Sequence, residues 1–547
     1  MTRTGLFGQS GPPDFSSGTR AAVLRVTRPL ALTSFWAPVI AASGVAMVWA
    51  FGFRGPDVPA QMYLSQLFHS HGWVLWNNAW YGGHYGFSYS VLFPALGSMI
   101  GLYGAALVCA VASAWAFERL MVAHFGRAGT LAVVLFAAGT IVPAAIGQLP
   151  FLAGEAAGLL ALVAAHRDHR ILAVALAASC GLFSEVAGVF LVLALVAWGL
   201  TSDPAGRRRI FMLAGVAALP VAVLSLTLPR LGPFPFRGPD LALVVAFCAV
   251  GALAVPSRHR ALRIGLVLYG IAAIVVFVVP NPLGGNVGRL AAYFAPPLLA
   301  VLATVPGRRV LAVFVLPLLL WQWVPSVSSI SAATGSDPSV SRSYYTPLVD
   351  YLTHQGVIGR VEIPFTRSHW EAAYVAPSVP LARGWVRQLD TLDNPLFYGD
   401  SLTSSQYHDW LVTNGVTWVA LADVPLDYSA MAEARVLKAG QSYLQPVWHD
   451  AHWRVWKVTD SPGLVSGPAT VTSLQANRVT LDATAPGTVL LRIRYTSLWT
   501  VKSGSACVAT TNDGWTRVVV AHPGPVELTT SLLHTATDCD VPAAPSG

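Results

Sequence analysis

Apolar residues run almost without interruption from residue 31 to about 325, broken only by short polar turns. Beyond that point the pattern becomes that of an ordinary soluble chain. A helix that crosses a bilayer needs about 20 consecutive apolar residues. The runs near 31–52, 90–117, 128–146, 149–165, 171–183, 185–200, 210–229, 240–255, 262–280, 288–305 and 309–325 therefore predict about eleven spans. Two of them, 171–183 and 185–200, are too short for ordinary spans and predict either a tight hairpin or one long tilted helix.

The tail has different periodicities. "SQYHDWLVTNG" and "AMAEARVLKAG" read as helices stopped by glycine, and "RVEIPF", "VTWVALAD" and "HWRVWKV" read as strands. An α/β subdomain is expected over 326–460. Residues 461–547 are rich in Val and Thr, with short strands such as "TVLLRIRY" and "WTRVVVA" between turn residues, and predict a β-sandwich. The predicted architecture is a polytopic α-helical membrane protein with an α/β plus β-sandwich C-terminal domain outside the cytoplasm.

Composition agrees. Of 547 residues 54% are hydrophobic and 11% charged, against about 25% charged in soluble proteins. The net charge of +8 does not point to nucleic acid, because the arginines sit in turns between apolar runs. Arg3, Arg20, Arg25 and Arg28 lie in the N-terminal segment 1–30. Arg119 and Arg127, Arg167 and Arg170, Arg207–Arg209, Arg258, Arg260 and Arg263, and Arg308 and Arg309 occupy alternate turns. The intervening turns hold only Arg54, Arg230, Arg237 and Arg289. The positive-inside rule then puts the N-terminus in the cytoplasm of a multi-pass plasma-membrane protein, with loop 53–88 and the tail outside. The polar lead is followed by no small-residue cleavage site, so a signal peptide is not expected. Cys109, Cys180 and Cys248 fall in apolar runs. Cys507 and Cys539 fall in the tail, where a disulfide is open to them if that domain is extracytoplasmic.

Loop 53–88 holds the most unusual chemistry. In "FRGPDVPAQMYLSQLFHSHG" Asp57 stands as an N-cap with Pro59 in the first turn. Met62, Tyr63, Leu67 and Phe68 share a face, with His71 one turn on, as in a helix lying on a membrane surface. Asp57 is also placed to act as a general base toward a lipid-linked substrate. Trp73, Trp76, Trp80 and Tyr81 suit the headgroup belt or stacking on sugar rings, and His84 follows in a Gly-rich stretch, where a structural role competes with binding. Glu155 and Glu185 lie in apolar surroundings, where an ionisable group is either functional or an interhelical hydrogen-bond partner. The small residues around them (Gly154, Ala156, Ala187, Gly188) permit close helix approach. Arg289, after "NPLGGNVG", opens a helix that Asn286 is placed to cap. This makes an anion site or a snorkelling interfacial arginine. Arg383, Arg387 and Asp390, with Arg367, His369 and Glu371, either line an outer cleft or form a solvated charged face. No Walker loop, GxSxG, HExxH or zinc-type Cys/His spacing occurs.

An acidic residue in the first outer loop, a helix after it, an inside N-terminus and a large outer C-terminal domain together resemble the GT-C superfamily of integral-membrane glycosyltransferases. In detail, "GPDVPAQMYLSQLF" with "GWVLWNNAWYGGHYGFSYSVLFP" is similar to the first loop of actinobacterial members. The resemblance covers roughly residues 31–325. It implies an inverting transfer of sugar from a polyprenyl-phosphate donor to an envelope glycan or glycolipid acceptor, with Asp57 as base. Such members often carry two adjacent acidic residues there. Here Val58 follows Asp57, which counts against a metal role, and no cofactor is expected. Arg289 would meet the phosphate, and His84, Trp76, Trp80, Tyr81, Glu155, Glu185, Arg383 and Arg387 would line the substrate path. The expected partners are the donor, the acceptor and membrane lipid. A transporter or flippase of lipid-linked sugars, with Glu155 and Glu185 coupling ions in a mid-membrane cavity, is the alternative. A non-catalytic envelope assembly protein is a third reading.

Overall fold

The computed structural model describes residues 35–87, 90–227, 232–333, 337–399, 401–532 and Cys539. The N-terminal segment with Arg3, Arg20, Arg25 and Arg28 lies outside the described residues, as does Arg230. Five helices are long and apolar enough to cross a membrane: Leu102–Phe125, Leu149–His166, Pro204–Thr227, Arg260–Val278 and Gly284–Ala303. This is fewer than the roughly eleven spans expected, of which two are too short for ordinary spans. The other apolar runs form shorter helices, Phe35–Ala50, Thr130–Ile146, Arg170–Phe183, Glu185–Thr201, Gly238–Ala254 and Arg309–Val324. Leu149–His166 is the most enclosed helix, whereas Pro204–Thr227 and Arg260–Val278 present Leu219, Leu226, Ile271 and Val275 outward. Large contiguous apolar faces of this kind need a non-aqueous neighbour, so the bundle is compatible with membrane insertion.

The two short runs form a hairpin. Helices Arg170–Phe183 and Glu185–Thr201 break at Ser184, whose extended backbone (φ −156°, ψ 120°) ends one helix and whose hydroxyl caps the next through the Ala187 amide. Glycines make the turn tight. A Cβ on Gly188 would stand 2.9 Å from the Cα of Gly181, and one on Gly154 would stand 2.7 Å from the Cβ of Ala187. Small residues thus let these helices touch along their backbones.

Arginine-bearing turns gather at one end of the bundle. Arg209 reaches Asp168 at 2.9 Å, the rings of His124 and His166 lie 5.7 Å apart, and Phe125 meets His259 at 4.6 Å. At the opposite end the Asp57 segment docks on the break between helices Ile141–Ile146 and Leu149–His166. The amides of Gly55 and Asp57 donate to the carbonyls of Ala145 and Ile146, both at 3.1 Å. Gly55 and Gly147 permit this approach, since a Cβ on either would overlap the facing backbone.

The tail follows the helix Ala312–Ala333 and is rich in β-structure. A four-stranded sheet with the order Arg360–Glu362, Val416–Ala422, Trp453–Val458, Leu444–His449 is parallel at its first pair and antiparallel elsewhere. Helices Arg342–Thr353, Arg387–Asp393, Ser404–Thr413 and Met431–Lys438 accompany it. Two further four-stranded antiparallel sheets from Val465–Ser466 to Gly524–Thr530 enclose Val479, Leu481, Val489, Leu491, Val518 and Leu528. Cys507 and Cys539 form a disulfide at its edge.

Loop 53–88 is where the structure departs most from expectation. Its helix, Val58–His71, does not lie with one face open. Val58, Gln61, Tyr63, Leu64, Ser65 and Leu67 are all buried, and helix Glu371–Tyr374 of the tail packs on it. The following aromatic stretch is enclosed as well. Trp76 joins the core of the β-sandwich, and Trp80 stacks on Tyr63 at 4.3 Å and against Gly384. Tyr81 bonds the carbonyls of Gly384 and Val386, and His84 spends its ring nitrogens on Asn77 and Tyr85. All four are at most 3% exposed, so they cannot line a sugar path or a headgroup belt. Trp73, at 57% exposed, keeps an open ring. The loop is a plug that ties bundle to tail through backbone bonds such as Leu381 amide to Ala79 carbonyl (2.8 Å) and Asn78 amide to Ala476 carbonyl (2.7 Å).

Candidate functional site

Asp57 occupies the N-cap position but does not cap. Its backbone is helical (φ −86°, ψ −11°) where a capping residue is usually extended, and its carboxylate takes no bond from the helix. The side chain is half-buried and, among the described residues, has neither hydrogen bond nor ion pair. Burial raises its pKa, opposed in order by the charges of Arg289, His369 and Arg387. These cations come from two directions. Arg289 opens the bundle helix Arg289–Ala303, while His369 and Arg387 belong to the tail. A carboxylate in the first loop thus meets one guanidinium from the bundle and two basic groups from more than 300 residues later in the chain.

On the bundle side Arg289 is also half-buried, and its guanidinium lies 5.3 Å from the Phe151 ring centroid. Among the described residues its side chain makes no ion pair or hydrogen bond, while its amide donates to the Asn286 carbonyl. Tyr293, one turn on, donates to Gln148 at 3.1 Å and stands within electrostatic reach of Arg289, Glu155 and Asp57. Glu155 is therefore brought toward the same end of the bundle, beside Ser113, Cys109 and Cys180. Glu185 is not. It starts its helix with no charged neighbour acting on it among the described residues.

On the tail side Trp385 organises the wall. Its indole N–H donates to the Pro56 carbonyl at 2.6 Å, its ring stacks on His369 at 3.5 Å, and the Arg387 guanidinium lies 4.7 Å from its centroid. His369, with a positive φ of 56°, is held between Asp427 (3.4 Å) and Glu371 (3.6 Å). Arg387 grips Asp427 with two bonds of 3.0 and 3.1 Å. Burial alone would raise the Asp427 carboxyl, but His369 and Arg387 hold it well below the usual carboxylate range. Arg367 is exposed and its amide bonds Pro425.

Arg383 is not a cleft residue. It is 1% exposed, bonds Asp390 at 2.7 and 3.1 Å, approaches Glu433 at 3.4 Å and Glu362 at 3.8 Å, and lies between the rings of Phe365 and Phe397. Neither reading of the solvent-facing kind fits it: this is a buried charge cluster inside the tail.

Two contributors carried no signal in the sequence. Trp385 was one aromatic among many. Gln61 is fully buried with neither amide atom bonded, and it follows Asp57 by one helical turn, on the same face. Buried amides are rarely left unpaired. Among the described residues no group of three or more His, Cys, Asp or Glu side chains is arranged to hold a metal ion. Comparison with models of known protein families finds no match for this chain, and comparison with curated protein sequences finds none either.

Proposed function

We propose that the chain is an inverting glycosyltransferase that moves a sugar from a polyprenyl-phosphate donor to a glycan or glycolipid acceptor at the outer face of the plasma membrane. In this reading the five long and six shorter apolar helices all belong to the membrane domain, about eleven segments in total, with the arginine-bearing end cytoplasmic. The resemblance of loop 53–88 to GT-C enzymes suggests it. The observation that carries it is the half-buried Asp57 carboxylate, free of hydrogen bonds and ion pairs among the described residues, with the equally unpaired Arg289 in electrostatic reach.

The chemistry needs little more. Asp57 accepts the proton of the acceptor hydroxyl as its oxygen attacks the anomeric carbon from the face opposite the phosphate. The bond from anomeric carbon to phosphate oxygen breaks, and the electron pair leaves with the phosphate. Arg289 stabilises the charge that gathers there. Because phosphate departs as an anion, no second carboxylic acid is required, in contrast to glycosidases whose leaving alkoxide must be protonated.

The test is sugar transfer in proteoliposomes supplied with radiolabelled polyprenyl-phosphate sugars. Wild-type protein is expected to label an acceptor, and Asp57→Asn to lose that activity by about 100-fold or more with unchanged thermal unfolding. Full activity in Asp57→Asn removes the base, and no transfer from any donor removes the reading.

A further inference from the structure

At the opposite, arginine-bearing end of the bundle an apolar groove of about 530 Å³ runs between three helices, lined by Pro38, Ala42, Leu107, Val111, Trp115 and Leu160 among others. Its walls come from Phe35–Ala50, Leu102–Phe125 and Leu149–His166. Pro38, Trp115 and Leu160 lie in the halves of their helices toward the arginine-bearing end, and from there the groove runs along Val111 to Leu107, in the other half of Leu102–Phe125. It holds apolar side chains along its length and ends at the indole of Trp115.

Two guanidinium groups meet at that ring. Arg119 lies 5.3 Å and Arg167 5.8 Å from the Trp115 centroid. Neither has an ion-pair partner among the described residues, and the Nε of Arg119 is buried without a hydrogen-bond partner. The nearby carboxylate Asp168 is already taken by Arg170 and Arg209. Two cations on one aromatic ring at the mouth of an open apolar channel, the half-buried Arg119 and the exposed Arg167, fit an anion attached to a hydrocarbon chain. Tryptophan and arginine are also the residues that settle at the headgroup level of a bilayer, and clustered arginines there recognise anionic headgroups.

We propose that this groove is a binding site for one anionic phospholipid, with an acyl chain along Pro38, Ala42 and Val111 and the phosphodiester between Arg119 and Arg167. Sugar transfer at Asp57 plays no part in it. The lipid would seal the seam between the first helix and the core of the bundle at its arginine-bearing end.

The full-length protein, purified in a neutral detergent, is incubated with equal amounts of phosphatidylglycerol and phosphatidylcholine, and retained lipid is counted by native mass spectrometry. One phosphatidylglycerol per chain is expected to survive mild activation, in at least tenfold preference over phosphatidylcholine. Each of Arg119→Gln and Arg167→Gln is expected to cut that preference about fivefold. Ala112 also lines the groove, and Ala112→Trp, which fills it and leaves both arginines in place, is expected to abolish retention. Equal retention of the two lipids by wild type, an undiminished preference in the double arginine variant, or full retention by Ala112→Trp would each overturn the site. So would displacement of phosphatidylglycerol by equimolar polyprenyl phosphate, which would assign the groove to a different lipid.

Discussion

The indole of Trp385 donates a 2.6 Å hydrogen bond to the carbonyl of Pro56, the residue immediately before Asp57. The proposed base is thus fixed on one side by the bundle, where its own amide bonds Ile146, and on the other by a tail residue 329 positions along the chain from Pro56. The tail is part of the site's frame and not an appendage.

Trp385→Phe tests that frame. It keeps an aromatic ring to stack on His369 but removes the donor to Pro56. Loss of one such bond costs about 1 kcal/mol of stability, while a displaced catalytic group can cost about 100-fold in rate. The variant is expected to unfold close to the wild-type temperature and to lose ten- to 100-fold in sugar-transfer kcat. A parallel loss of folding and activity would mark Trp385 as structural only.

Arg289 makes a prediction in pH. Burial raises the Asp57 pKa and Arg289 is the strongest force lowering it again. A base works only when deprotonated, so activity falls as pH drops through that pKa. Arg289→Gln removes the restraint, leaves the carboxyl further raised, and is expected to move the acid limb of the kcat profile to higher pH. Its kcat at the plateau is expected to fall by 10- to 1000-fold, since the departing phosphate loses its counter-charge. An acid limb that stays in place, measured across a pH series in proteoliposomes, would separate Arg289 from Asp57.

Local pattern carried much of this structure and stopped where contacts became long-range. Alternation placed Trp453–Val458, the apolar run after a glycine stop placed Val416–Ala422, and glycine stops placed the ends of Ser404–Thr413 and Met431–Lys438, because each is settled by neighbours a few residues away. The hairpin at Ser184 was one of two outcomes open to the short runs beside it. Trp76, Trp80, Tyr81 and His84 look alike in sequence whether they face lipid, sugar or protein, and only the folding back of the tail from Leu381 to Arg494 covers them. His369 and Trp385 became neighbours of Asp57 the same way. Arg383 and Asp390 stood out in the sequence as members of one charged stretch. Their burial did not, since Glu362 and Glu433 arrive from a strand and a helix on either side.

That buried cluster sets a pH dependence of stability. Burial is the largest influence on both Glu362 and Glu433 and raises both, and for Glu362 the charge of Glu433 adds to it, against Arg383. A carboxyl with a raised folded-state pKa holds its proton longer folded than unfolded. Its contribution is therefore present below its ordinary value of 4.5 and is lost as pH climbs through the raised values. Glu433→Gln is expected to flatten this decline and to unfold at a higher temperature than wild type at pH 8. Arg383→Met leaves three acids without their cation and is expected to cost about 3–5 kcal/mol. Thermal scans of the full chain from pH 5 to 8 read both.

The disulfide between Cys507 and Cys539 ties strand Ala506–Thr510 to a point 32 residues on. Closing a loop of that length restricts the unfolded chain and stabilises the fold by about 2–4 kcal/mol. Cys507→Ser, or reductant added to wild type, is expected to lower the unfolding temperature of the sandwich. The bridge also bears on topology, since disulfides persist in oxidising compartments and are rare in the cytosol. In cells blocked with a membrane-permeant alkylating agent before lysis, the tail cysteines are expected to be protected until reductant is added. Cys109, Cys180 and Cys248, buried in the bundle, are expected to react only after denaturation. A tail whose two thiols are alkylated in intact cells without reductant would place it on the cytoplasmic side, and with it Asp57, which the Pro56–Trp385 bond holds against that domain.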